Sequence, residues 1–170
     1  MGAINLLPGG SATITTGRPP STSQWPANVN FQTNACIGYL AEEVRDFRMS
    51  PTLPRQCPRP DEESGVNNLS DDCYDFVRRY SACHTPKFTR DSEGYDLLDG
   101  RRYALPSTCR AYLLDHFSYD RCLVWHQTDP DFYGDEWRIF LNRTWELWAE
   151  NRETISLYDA AGKLVDQISY

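Results

Sequence analysis

A chain of 170 residues is long enough for one domain with its own core and too short for two large ones. Hydrophobic residues make up 40% and charged residues 24%, which excludes a mostly disordered chain. No apolar run approaches the roughly 18 residues of a membrane span, so no membrane insertion is expected of this segment. Seventeen basic against 24 acidic residues leave a net charge of −7. Without a local basic patch that field repels polyphosphate, so nucleic acid is not an expected partner.

Ile4 to Leu7 reads as a short strand, Pro8-Gly9-Gly10 as a turn, and Ser11 to Thr16 as a second strand, together a hairpin. Gly17 through Asn34, with Pro19, Pro20 and Pro26 among polar residues, predicts an extended loop. Cys36 to Phe47 reads as a short helix. Pro51, Pro54, Pro58 and Pro60 then enforce extended backbone, and Asp61 to Gly65 forms an acidic surface loop.

Ser70 is a natural helix cap, Asp71 and Asp72 suit the positive end of the dipole, and Cys73, Phe76, Val77 and Tyr80 make one apolar stripe. Ser107 is the expected cap of a second helix presenting Cys109, Tyr112, Leu113 and His116. Asp120 is the expected cap of a further turn with Cys122, Leu123 and His126. Between these helices, the polar stretch from Lys87 to Arg102, with Gly94 and Gly100, predicts a flexible loop.

The pattern then returns to β. Glu136 to Leu141 reads as a strand, Arg143 to Trp148 as a turn of helix, and Glu153 to Tyr158 as a strand. Asp159 to Gly162 connects that strand to the last, Lys163 to Tyr170, in which Val165 is expected to be buried. Strands at both ends of a cysteine-bearing helical centre imply an α+β chain, a β domain carrying a large insertion.

The six cysteines, Cys36, Cys57, Cys73, Cys83, Cys109 and Cys122, all belong to that centre. No two lie closer than Cys73 and Cys83, which argues against the C-x-x-C pairs of structural zinc sites. An even number at wide spacing fits three disulfides in an oxidising compartment, with the pairing left open by the sequence. The alternative is a reduced protein with six buried thiols.

Little in the chain specifies a reaction. His84 follows Cys83, a Cys/His neighbourhood that matters for nucleophilic catalysis only if the thiol is free. His116 and His126 read as polar residues at the core margin rather than metal ligands. Asp129, Asp131, Asp135 and Glu136 would supply oxygen ligands to calcium, although their spacing is not that of an EF-hand. Asp129 and Asp131 with His126 would otherwise suit a metal-assisted hydrolase, the alternative to a non-enzymatic role. Trp25, Trp125, Trp137, Trp145 and Trp148 offer a sugar- or peptide-stacking face, with at least three expected in the core. No catalytic residue, metal ligand or cofactor follows from any motif.

The segment Thr154 to Tyr170, an apolar strand, an Asp-Ala-Ala-Gly turn, then Lys163-Leu164-Val165-Asp166 and a terminal Ser169-Tyr170, resembles the closing hairpin of lamin-tail domains in bacterial surface proteins. Ile4 to Ile14, with its Pro-Gly turn, is similar to the middle of that family. The blocks Asn34 to Tyr39, Cys57 to Pro60 and Asp129 to Tyr133 are similar to a cysteine-rich insertion found in some of its members.

The resemblance implies a partial immunoglobulin-like β-sandwich built from residues 1–20 and 136–170, with a disulfide-braced, mainly helical insertion at 21–135. It implies a non-catalytic interaction or structural module, extracellular or in the cell envelope, with a protein or glycan partner. The family has further strands before the Pro-Gly turn, so the chain is expected to be the C-terminal part of a longer protein, or an incomplete sandwich whose edges invite self-association.

Overall fold

Apolar Ile37 to Ala41 becomes helix α1 (Ile37–Glu43), buried at Ile37, Gly38, Tyr39, Leu40 and Ala41, and the core gathers around it. A computed structural model of the chain describes residues 4, 6–19, 30–43, 50–149 and 151–169. Within them lie three more helices, α2 (Asp71–Val77), α3 (Ser107–His116) and α4 (Tyr119–His126). The predicted helix beyond Glu43 as far as Phe47 falls outside the described residues except at its start, as do Pro20, Trp25, Pro26 and Tyr170.

The predicted stripes face inward as their spacing requires. Cys109, Tyr112, Leu113 and His116 of α3 are all buried, and so are Cys73 and Val77 of α2. The cysteines pair as Cys36–Cys122, Cys57–Cys83 and Cys73–Cys109, and none is free. The first ties the start of α1 to α4, the second ties the proline-rich segment to the loop after α2, and the third ties α2 to α3. Three such bridges are typical of proteins that mature in oxidising compartments.

Two caps differ from expectation. Helix α3 is preceded by Pro106 at the cap position, with Ser107 its first residue. Helix α4 is capped by Ser118, whose extended backbone lets its hydroxyl accept the Arg121 N–H at 3.3 Å, while Asp120 sits inside the first turn.

The strands are β1 (Ser11–Thr15), β2 (Phe31–Asn34), β3 (Phe88–Arg90), β4 (Asp96–Leu98), β5 (Arg101–Arg102), β6 (Tyr133–Phe140), β7 (Thr154–Tyr158) and β8 (Leu164–Ser169). They form three separate ladders, β1-β6-β2, β3-β4-β5 and β7-β8. The chain is therefore mixed α+β. In the first ladder β6 is central, parallel to β1 from Ser11↔Glu136 to Thr15↔Phe140 and antiparallel to β2.

That parallel pairing replaces the predicted hairpin at the start. Ile4, Leu6 and Leu7 lie outside any strand and are exposed, because β1 takes its partner from the far side of the helical centre. The link is reinforced where the Thr13 hydroxyl donates to Glu136 at 3.0 Å. β2 arises inside the stretch read as a loop, so this sheet draws on both the terminal and the inserted regions.

Lys87 to Arg102, expected to be a flexible loop, is the three-stranded ladder β3-β4-β5. One side chain organises its turn: Asp91 accepts the backbone N–H groups of Glu93 (3.0 Å) and Tyr95 (2.9 Å) and the Arg102 guanidinium (2.9 Å). Left-handed backbone at Gly94, Asp99 and Gly100 completes the two reversals.

The C-terminal hairpin has its predicted turn, with Asp159 accepting the N–H groups of Ala161 and Lys163. Among the described residues it pairs with no further strand, and the expected sandwich is not seen. β8 is exposed along its whole length, Val165 is 57% exposed rather than buried, and the hairpin does not pair with the segment around Ile14. Each face of β8 mixes apolar and polar side chains, Leu164 and Ile168 with Asp166 on one, Val165 with Gln167 and Ser169 on the other. Neither face is apolar enough to demand a cover. Arg143 to Trp148 forms bends, not a helical turn, following left-handed Asn142. Among the described residues no helix is long and apolar enough to cross a membrane.

Candidate functional site

A groove of about 660 Å³ opens between the end of α2 and the β4-β5 reversal. Its position follows from the local chain. After Val77 the backbone makes one more tight turn, with the Arg79 N–H on Phe76 O and the Tyr80 N–H on Val77 O. It then passes through Cys83, held in the left-handed region (φ 62) and tied to Cys57. Aromatic rings run along the groove from Tyr103 to Phe76 (centroids 5.3 Å, edge-on), to Tyr80 (5.7 Å), to His84 (5.6 Å).

His84 is clasped between two carboxylates, Nδ1 on Glu42 of α1 and Nε2 on Asp99 at 3.0 Å. The same acids take backbone N–H groups, Glu42 from Thr85 and Asp99 from Lys87, each at 3.0 Å. An acceptor on each ring nitrogen requires both nitrogens to carry protons. Partial burial pulls the His84 pKa down, but the hydrogen bonds and charges of Glu42 and Asp99 outweigh it and hold the pKa above its ordinary value. The Tyr80 hydroxyl, 3.5 Å from Asp99, is pushed far up by burial and by that carboxylate.

A second clasp lies in the core margin. His126 of α4 donates from Nδ1 to Asp129 (2.8 Å) and from Nε2 to Glu63 (3.1 Å), a glutamate only 3% exposed. Burial lowers the His126 pKa, and the two carboxylates more than reverse it. His116 is buried between the rings of Tyr112 (4.1 Å) and Trp125 (4.8 Å), its Nδ1 against the Tyr112 carbonyl.

The sign of the His126 shift makes a pH prediction. A pKa raised above 6.5 on folding adds stability that is present below that pH and fades as pH rises through the folded value. The stability difference between the wild type and His126→Gln is therefore expected to be largest near about pH 6 and to shrink by about pH 8.5. Urea unfolding at the two pH values measures it, and a difference independent of pH would refute the clasp.

The carboxylates singled out by sequence are not brought together. Asp129 serves His126, Glu136 serves Thr13 and pairs with Arg138 at 2.9 Å, and Asp131 and Asp135 are exposed. Among the described residues no group of three His, Cys, Asp or Glu side chains is placed to hold a metal ion. Cys83 is in a disulfide, so it is no thiolate partner for His84. The tryptophans are less buried than expected: Trp137 and Trp148 are half-buried, Trp125 is 41% exposed and Trp145 60% exposed under the Arg143 guanidinium.

Sequence reasoning missed the groove because one wall, Asp99 and Arg101, comes from the stretch read as a loop. The usable signal was the alternation of Phe88 and Arg90 with Asp96 and Leu98 around Asp91-Ser92-Glu93-Gly94. No family model, curated protein or solved structure matches the chain.

Proposed function

We propose that the chain is a non-catalytic interaction module of the extracellular space or cell envelope, and that the groove beside His84 is its ligand site. The observation that carries this reading is the run of rings Tyr103, Phe76, Tyr80 and His84 on a surface braced by the Cys57–Cys83 bridge. A preformed groove with aromatic lining is the usual form of a small-ligand site. The histidines support binding over turnover: His84 and His126 are each engaged at both nitrogens by carboxylates, and His116 is sealed between two rings. The lamin-tail resemblance of the two ends agrees with a module that attaches rather than reacts.

Titration of the oxidised, isotope-labelled protein with short oligosaccharides and peptides tests the proposal. Amide shifts centred on Tyr80, Arg101 and Tyr103, with the ligand recovered intact after long incubation, are expected. Hydrolysis of a ligand that disappears in Asp129→Ala would overturn the reading in favour of a hydrolase, and shifts centred on another surface would remove the groove as the site.

A further inference from the structure

We infer that the groove selects a sugar ring bearing an anionic substituent, a carboxylate or a sulfate, within a glycan; this rests on the binding-module reading above. The charge distribution carries the inference. In a chain of net charge −7, two guanidiniums of the groove, Arg79 and Arg101, meet no carboxylate among the described residues. Their neighbours behave otherwise: Arg78 pairs with Asp75, Arg90 with Asp96, and Arg102 with Asp91 and Glu93. Arg79 spends its Nε on the Asp75 carbonyl at 2.7 Å, which leaves its terminal N–H groups free to point elsewhere.

Asp99, the only carboxylate lining the groove among the described residues, is already engaged. Its Oδ1 takes the Lys87 N–H, and its Oδ2 faces His84 and Tyr80. A protonated His84 offsets one of its two carboxylates, Asp99 and Glu42, and the pair of arginines, Arg79 and Arg101, outweighs the single negative charge that remains and sets the sign of the groove. Guanidinium forks match carboxylate and sulfate oxygens two at a time.

The rings decide what carries that anion. The Phe76, Tyr80 and Tyr103 rings offer apolar faces and edges to the C–H face of a pyranose, and a volume of about 660 Å³ suits one or two sugar rings. A peptide held by strand addition needs a longer free edge than β5, which is two residues long.

The test uses the full oxidised chain and four probes: a uronic acid trisaccharide, a sulfated trisaccharide, a neutral trisaccharide of the same linkage, and an oligoglutamate. Calorimetry is expected to show an acidic sugar binding about tenfold tighter than the neutral one, weakening as salt rises. Arg101→Ala is expected to abolish that preference, bringing the acidic sugar level with the neutral one. Arg101→Lys keeps part of it, and Arg55→Ala, exposed and outside the groove, keeps all of it. Preference for the uronate or for the sulfate names the anion, and either supports the inference. Equal binding of acidic and neutral sugars would overturn the charge selection while leaving the binding module standing. Tighter binding of oligoglutamate at the same amides would replace glycan by acidic peptide. Failure of all four probes would sink this inference alone, whereas turnover of any probe would sink the module reading itself.

Discussion

Replacing Cys36 and Cys122 together by alanine is expected to cost about 4.5 kcal/mol of stability, the largest loss from removing any one bridge. The bond closes a loop with a sequence separation of 86, against 26 for Cys57–Cys83 and 36 for Cys73–Cys109. Chain entropy released in the unfolded state grows with the logarithm of that separation, which gives about 3.5 and about 4 kcal/mol for the shorter loops. Both sulfurs of the long bridge are buried, so the unfolded chain gains freedom while the core loses packing.

A polar clasp runs beside the same bridge. The Asn34 side-chain Oδ1 accepts the Cys36 N–H at 2.9 Å, and its Nδ2 donates to the Tyr119 hydroxyl at 3.2 Å. Those bonds keep β2 near α4 in the variant, so it folds, but less stably. Urea unfolding of the three double-alanine variants measures the order, and a Cys57/Cys83 pair that proved costliest would contradict loop closure as the source.

What was legible in the chain is what local spacing controls. The stripe of Cys109, Tyr112, Leu113 and His116 has helical period, and burial followed it residue by residue. The Asp159 to Gly162 turn carries its own chemistry, since one carboxylate accepts two backbone N–H groups wherever the hairpin sits. Pairing between distant strands leaves no such mark. Nothing within Ser11 to Thr15 distinguishes a parallel partner at Glu136 to Phe140 from an antiparallel one nearby, so the predicted hairpin at the start was a local answer to a long-range question.

The groove was hidden for a related reason. Lys87 to Arg102 is polar because its ladder is small and exposed, and polarity without length reads as loop. The clasp on His84 needs Glu42 from α1 and Asp99 from the reversal before β5, residues far apart in the chain that meet next to the Cys57–Cys83 bridge. Expected burial of Val165 failed at the other extreme. Strand propensity was read correctly, but burial depends on a neighbour to pack against, and propensity does not specify one.

The dependence of the site on packing beneath it makes Gly38→Ala the sharper test. Gly38 lies in buried α1, and its N–H donates to the Gln56 carbonyl at 2.8 Å. A Cβ there would overlap the Cys83 sulfur and stand 2.6 Å from the Cys57 sulfur and 2.8 Å from the Gln56 oxygen. Backbone and a covalent bridge yield less readily than a flexible side chain, so the substitution is expected to cost about 3 kcal/mol, the upper end for overpacking.

In a Cys57→Ala/Cys83→Ala background two of those obstacles are gone, and the cost is expected to fall to about 1 kcal/mol. Such coupling assigns the requirement for glycine to the bridge rather than to helix geometry. Cys83 is bonded directly to His84, so a displaced bridge draws the imidazole away from Glu42 and Asp99 and lets its pKa fall back toward 6.5. Imidazole proton shifts followed against pH read that change, with the His126 titration unmoved as the internal control. Equal costs in both backgrounds, or a His84 titration unaltered by Gly38→Ala, would break the link from helix packing through the disulfide to the groove.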